Sequence, residues 1–200
     1  MKVVCACEYS GIVRTAFAKR GHDAVSCDLL PGEIYLFNES KGRHFQGNIF
    51  TLLEKQKFDL MIGFPPCTYL SYAATHVWNK PGRAEQREAA LEFFKSLYNA
   101  PVEKVCIENP LGYAITWKKY DQIIHPWMFG EPFNKRTCLW LKNLPLLQPT
   151  NIVEPIAQYF PSGRKKVCTD IMGAGGGEIR RKNRAKFWVG IAEAMAHQWG

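Results

Sequence analysis

The stretch FDLMIGFPPCTYLS, residues 58–71, decides how the chain is read. Its apolar run, Leu60, Met61, Ile62 and Gly63, lies between a charged entry and a Pro-Pro exit, and so short a run reads as a buried strand. Pro65 and Pro66 restrict the backbone around Phe64 and forbid an immediate helix. Cys67 therefore stands on a stiff loop at a strand's C-terminal edge, where a parallel sheet presents side chains to a ligand crevice. That position suits a nucleophile. An inert, half-buried thiol is the alternative that the same residues allow.

Upstream, KVVCAC (2–7) is a β-branched run and reads as the first strand. Tyr9-Ser10-Gly11 follows as a tight turn, and Gly11 lets the backbone approach a ligand. Ile12, Val13, Ala16 and Phe17 fall on one helical face over 12–20, with Gly21 as the C-cap. The strand AVSC (24–27) then ends at Asp28. An acid about 20 residues after a glycine turn is the ribose-binding position of a nucleotide-binding βαβ unit. Val13 and Arg14 stand where further glycines would complete that fingerprint, so Asp28 reads equally as a turn or helix cap. Residues 31–45 read as an irregular loop, and Gly47-Asn48-Ile49-Phe50 as the end of a third strand and the start of a helix. Asn48 offers a donor and an acceptor to an adenine edge, or else serves as an N-cap.

Downstream, 71–80 reads as a mobile loop over the site, and 84–100 as a helix with Ala89, Leu91, Phe93, Phe94, Leu97 and Tyr98 on its apolar stripe. KVCIE (104–108) is a second buried strand, ending in Glu108-Asn109-Pro110. Glu108 shares a rim with Cys67 if the two strands are parallel neighbours; otherwise it is a turn-forming acid. Residues 117–130 read as an aromatic crossover. TCLWL (137–141) is a further strand, preceded by Lys135-Arg136, which either face the crevice or form a solvated loop tip. Residues 144–183 hold Pro145, Pro149, Pro155 and Pro161, the run Arg164-Lys165-Lys166, a glycine run and Arg180-Arg181-Lys182. They read as flexible, basic and low in regular structure. Residues 184–199 read as an amphipathic helix with Phe187, Ile191, Ala194 and Met195 on one side.

The alternation of short buried strands with helices predicts one α/β domain over 1–200, its sheet mostly parallel with helices on both faces. Net charge +8 favours a polyanionic partner such as nucleic acid, or phosphorylated small molecules, unless it is only a solvated basic surface. No apolar run reaches the length of a membrane span. The N-terminus reads as a strand and not a signal peptide. The 7 cysteines are odd in number and lack C-x-x-C spacing, so reduced thiols and a cytoplasmic location are expected. His22, His44, His76, His125 and His197 are dispersed, and no metal site is predicted.

Taken together, these segments resemble the DNA cytosine-C5 methyltransferases, and most closely a short bacteriophage and prophage form. Tyr9-Ser10-Gly11 is similar to that family's first cofactor motif, Asp28 to its ribose acid and Gly47-Asn48 to its adenine-site motif. Pro66-Cys67 resembles the catalytic Pro-Cys and Glu108-Asn109-Pro110 the Glu-Asn motif. Lys135-Arg136-Thr137 occupies the place of the basic motif that steadies the base. The resemblance implies a Rossmann-like S-adenosylmethionine-dependent methyltransferase fold, with 144–183 a reduced basic insertion in place of a large target-recognition domain. It implies Cys67 as nucleophile at C6 of cytosine, Glu108 as the acid near N3 and Arg136 as support for the thiolate. It assigns the S-adenosyl-L-methionine site to Tyr9, Ser10, Gly11, Asp28, Asn48 and Pro66, and base binding to Asn109, Lys135, Arg136 and Thr137. Amino-group methyltransferases carry an acid or amide before Pro-Pro and an aromatic after it; here Phe64 precedes and Cys67 follows. The expected partner is DNA, single-stranded or duplex. A free deoxycytidine nucleotide as substrate, or a non-catalytic nucleic-acid-binding module on the same scaffold, are the competing expectations.

Overall fold

A computed structural model of the protein describes residues 1–33, 42–159, 161–162, 165–168, 177 and 186–200. The predicted first strand forms as β1, Lys2–Ala6, and lies in the interior of the sheet beside the middle strand. Around it stand β2 (Asp23–Asp28), β3 (Gly42–Gln46), β4 (Leu60–Gly63), β5 (Lys104–Asn109), β6 (Gln122–Ile124) and β7 (Thr137–Lys142). The order is β3-β2-β1-β4-β5-β7-β6. The pairings from β3 through to β5 are parallel, whereas β7 runs antiparallel to both β5 and β6. The chain moves outward from β1 through β2 to β3, then returns to the other side of β1 as β4. That reversal opens a crevice beyond the C-terminal ends of β1 and β4.

Helices cover both faces, as the alternation of strands and helices predicts. One face buries Val3, Cys5, Leu60, Ile62 and Cys106 against α1 (Ile12–Lys19) and α4 (Val189–Gln198). The other buries Val4, Ala6, Met61, Val105 and Ile107 against α2 (Ile49–Lys55) and α3 (Arg83–Tyr98). A strand covered on both sides needs apolar residues at consecutive positions, which is why LMIG reads as a run and not as an alternation. Gly21, at φ 87°, ends α1 in the left-handed conformation expected of a helix C-terminus.

Several expectations give way. The loop read over 31–45 becomes β3 from Gly42 onward; strand pairing to β2 outweighs a sequence poor in β-formers. Residues 72–77 form a 3-10 helix capped by the Ser71 hydroxyl, which accepts from Ala73 N at 3.2 Å. Ala89 is exposed, so the buried stripe of α3 narrows to Leu91, Phe94 and Leu97. The crossover at 117–130 contains β6 and a 3-10 turn at Pro126–Met128.

The last helix begins at Val189, later than the sequence predicts, because the Glu131 carboxylate accepts from Val189 N at 2.8 Å and marks the first turn. The segment 144–159 is not loose. Leu147 is fully buried, Thr150 N and Asn151 N donate to Met128 O at 3.2 Å, and Val153 N donates to Trp127 O at 2.9 Å. Ala157–Tyr159 (β8) and Lys165–Val167 (β9) form an antiparallel hairpin. Arg164, the glycine run Gly173 to Gly176 and Arg180-Arg181-Lys182 lie outside the described residues.

Candidate active site

The chain leaves β4 still attached to β1, with Phe64 N donating to Ala6 O at 2.9 Å. Pro65 and Pro66 carry it away from the sheet, and Cys67, exposed, begins the turn. Leu70 N and Ser71 N both donate to the Cys67 carbonyl, at 3.1 and 2.9 Å, and fold the chain back. On the adjacent parallel strand β5, Ile107 sits level with Gly63, so Glu108, near the end of β5, lies on the same rim as the Cys67 loop. Asn109, almost wholly buried, joins the two: its Nδ2 donates to Pro65 O at 2.8 Å. Beyond it the loops zip together. Ser71 bridges Gly112, Tyr113 N donates to Leu70 O at 2.7 Å, and Tyr72 N donates to Leu111 O at 3.3 Å. A Cβ at Gly112 would collide with the Leu70 carbonyl, so a glycine is required for this approach. The sequence places Cys67 and Glu108 on one rim only if β4 and β5 are parallel neighbours, and they are.

Glu108 alternates with Ile107 and so faces the α1–α4 side of the sheet with Cys106. Burial pushes its carboxyl up from the ordinary range, and the Lys135 ammonium pulls it part of the way back. Lys135, rather than Arg136, is the cation whose field reaches Glu108. Arg136 is exposed, and its charge bears on His125 and Cys138. Thr137 is buried on the Glu108 side of β7, and its Oγ1 has no partner among the described residues; the same holds for Asn109 Oδ1. Two buried oxygens without partners at one rim are sites that a bound group can satisfy.

A cavity of about 140 Å³ opens on the opposite side of Pro66, lined by Cys7, Cys27, Asp28, Leu29, Gly47, Asn48, Ile49, Pro66 and Phe93. It contains three of the sequence-predicted cofactor residues: Asp28, Asn48 and Pro66. Asp28 Oδ1 accepts from Leu30 N at 2.9 Å, which holds the carboxylate at the end of β2. Asn48 is the N-cap of α2 and also lies in the cavity lining. Its Oδ1 accepts from Phe50 N at 2.9 Å. The apolar walls Leu29, Ile49 and Phe93 are surfaces for a flat ring. Phe93 was legible only as a stripe residue of α3, and Ile49 only as a helix start. Burial raises the Cys7 thiol to about 12 and that of Cys27 to about 11, so both line the cavity as neutral groups.

Tyr9, Ser10 and Gly11 do not line this cavity; they form the turn at the switch point between β1 and α1. Gly11 adopts φ 71°, and its lack of a Cβ admits the Arg14 guanidinium. Ser10 turns inward, accepting from Ile12 N at 3.4 Å and donating to Glu8 Oε1 at 3.5 Å. Glu8 is not among the residues that the sequence singles out, yet it organises the turn. Its carboxylate accepts from Val13 N at 2.6 Å and Arg14 N at 3.2 Å, in place of an N-cap side chain. Burial outweighs those hydrogen bonds and lifts Glu8 to about 7. Among the described residues there is no His/Cys/Asp/Glu group that could hold a metal ion, and no helix is long and apolar enough to cross a membrane.

No family model and no curated protein matches the sequence. Solved structures do match. An E. coli prophage-encoded protein assigned as a DNA modification methyltransferase aligns at TM-score 0.50 and 15% identity, over 77% of this chain and 52% of that one. The Entamoeba histolytica methyltransferase EhMeth aligns at TM-score 0.46 and 14% identity, over 76% of this chain and 57% of that one. The aligned region thus spans little more than half the length of either. The sheet order, the switch-point crevice and the first of these likenesses establish an α/β Rossmann-like fold, the one that the prophage-encoded protein also has.

Proposed function

We propose that the protein is a methyltransferase that uses S-adenosyl-L-methionine to methylate C5 of cytosine in DNA, through a covalent bond from Cys67 to C6. The observation that carries this reading is the union of the Cys67 and Glu108 loops by the Asn109–Pro65 hydrogen bond of 2.8 Å on adjacent parallel strands. Cytosine C5 is a weak nucleophile, and the reaction needs one thiolate and one acid on the same ring. Cys67 Sγ adds to C6 while Glu108 donates a proton to N3, so the electron pair displaced from the C5–C6 bond enriches C5. The cofactor, when bound, supplies the methyl group that C5 takes up. A base then removes the C5 proton, the C6–S bond breaks, and the N3 proton returns to Glu108. The upward displacement of the Glu108 carboxyl suits it to carry that proton.

The lining of the cavity beside Pro66 supports a place there for the adenosine end of the donor. Asp28 offers acceptors to vicinal hydroxyls, Asn48 a polar group to a ring edge, and Ile49 and Phe93 apolar faces to the ring itself. Asn109 holds the Cys67 loop, and Lys135 and Thr137 stand beside Glu108, where a base would lie. Arg136 reaches a phosphate more readily than the thiolate, given its exposure.

The test is mechanism-based trapping. DNA carrying 5-fluorocytosine has no C5 proton to lose, so wild-type protein with cofactor forms an adduct stable to denaturation. Cys67→Ser removes the adduct and turnover, while Cys106→Ser, deep in the core, retains adduct formation. Methyl transfer by Cys67→Ser at the wild-type rate refutes the covalent route.

A further inference from the structure

Directly beyond both loops of the rim lies an array of aromatic and arginine side chains that the proposed chemistry leaves without a task. Tyr69 and Tyr72 follow Cys67, Tyr113 follows Glu108, and Trp78, Arg83 and Arg87 close the group from the 3-10 helix and α3. The Arg87 guanidinium lies over Trp78 at 4.6 Å and over Tyr113 at 5.0 Å. Tyr72 packs on Trp78 with ring centroids 5.5 Å apart. The Arg83 guanidinium covers Tyr69 at 4.5 Å. Tyr113 Oη donates to Glu88 Oε1 at 2.7 Å, fixing the array to α3. Inside it, Arg87 Nε and Nη1 and Trp78 Nε1 are buried with no hydrogen-bond partner among the described residues.

Arg87 thus acts as the post between two rings. The outer members, Tyr72 and the stacked Tyr69–Arg83 pair, remain partly open to solvent. Flat π-faces alternating with guanidinium planes are the chemistry that stacks nucleobases without reading their sequence. The backbone pairing of 70–72 with 111–113 holds the array at a fixed offset from Cys67 and Glu108.

We infer that Tyr72 and the Tyr69–Arg83 pair form a stacking platform for the unpaired nucleotides flanking the target base, so that the site takes its substrate on a single-stranded or locally opened strand. The inference rests on the reading of the rim as a site for a nucleobase in DNA. A strand that lays its neighbours on this platform needs no large reading domain to present one base, and it contributes stacking that a free nucleotide lacks.

The test uses the full chain and fluorescence anisotropy with two labelled strands of equal length, an oligo-dT and its abasic counterpart. Both carry the same phosphates, and neither carries a cytosine, so the measurement is independent of methyl transfer. Wild-type protein is expected to prefer the dT strand by about tenfold, the scale of a base–aromatic stack. Tyr72→Leu, which keeps bulk and loses the π-face, and Arg83→Ala are expected to abolish that preference, and Tyr72→Phe to keep it. Melting temperature and cofactor affinity are expected to stay at wild-type values in Tyr72→Leu. Equal affinity of the wild type for both strands, or an undiminished preference in Tyr72→Leu, overturns the platform. Failure of fluorocytosine trapping with the dT preference intact strikes the covalent chemistry instead and leaves the platform standing.

Discussion

Glu108 and Glu8 are both acids displaced upward by burial, and they predict opposite kinds of measurement. For Glu108 the protonated form is the working one in the proposed mechanism, so turnover is expected to fall as pH rises through its raised pKa. Glu108→Gln removes that alkaline limb and lowers kcat about 10²-fold or more, the scale of one general acid. Lys135→Ala removes the charge that holds Glu108 down and moves the limb to higher pH, which a kcat–pH profile reads directly. Glu8 acts on stability. Its folded value of about 7 stands above the ordinary 4.5, so the folded state binds the proton more tightly. Its contribution is complete below pH 4.5 and is lost as pH rises to about 7. That loss is on the order of 3 kcal/mol, and Glu8→Gln flattens the melting temperature across the same window. The positions of Cys67 and Glu108 on one rim were legible because each follows a buried apolar run within two residues of a proline. Glu8 was not, since an acid before a turn carries no sign of whether its carboxylate turns inward to cap the helix behind it. Asn109 was legible as part of a motif, but not as the tie between two loops, because the Pro65 carbonyl it holds lies far away in sequence.

At the scale of elements, strands covered on both faces were legible from their uninterrupted apolar runs, and α1 and α3 from their periodicity. The end of β3 was legible but its body was not, because GRHFQ carries no alternation; it becomes a strand by pairing with β2, in which Ser26 Oγ and His44 Nδ1 stand 2.9 Å apart. The pinned course of 144–159 was hidden in the same way, since its hydrogen bonds run to 127–132 and its prolines suggest looseness. The zipper between 70–72 and 111–113 is the element on which the site depends most, and Gly112 is its narrow point. Gly112→Ala sets a methyl group against the Leu70 carbonyl, so either the two loops separate or the chain strains. Overpacking of this kind costs about 1–3 kcal/mol. We expect thermal unfolding to register that cost, and fluorocytosine trapping to slow by more than the stability loss explains, because the Cys67 loop shifts against Glu108. Wild-type trapping in a destabilised Gly112→Ala protein would mean that the zipper supports the fold alone.

At the scale of the molecule, the net charge of +8 sets how the protein meets a polyanion. The clusters Arg164-Lys165-Lys166 and Arg180-Arg181-Lys182 supply six of the positive charges. Only Lys165 and Lys166 belong to the described chain, in β9. On the proposed reading, phosphate contacts hold a strand without specifying its sequence, while the rim and its aromatic array act on the bases. The two contributions separate with salt. Each neutralised phosphate releases counterions, so strand affinity falls linearly in log salt with a slope of about −0.7 per contact for single strands. Replacing all six cluster residues by Gln is therefore expected to flatten that slope by up to about 4 if every one meets a phosphate. Cofactor affinity, measured by calorimetry on the same variant, is expected to hold, because the Asp28–Asn48 cavity is built from none of these residues. DNA methylation at moderate salt is then expected to drop with strand affinity, while the ratio of dT to abasic binding persists. A variant that keeps the wild-type slope places the strand elsewhere on the surface. If the parent protein methylates a free deoxycytidine nucleotide efficiently and leaves single strands and duplex untouched, DNA is the wrong substrate, and the basic clusters serve another purpose.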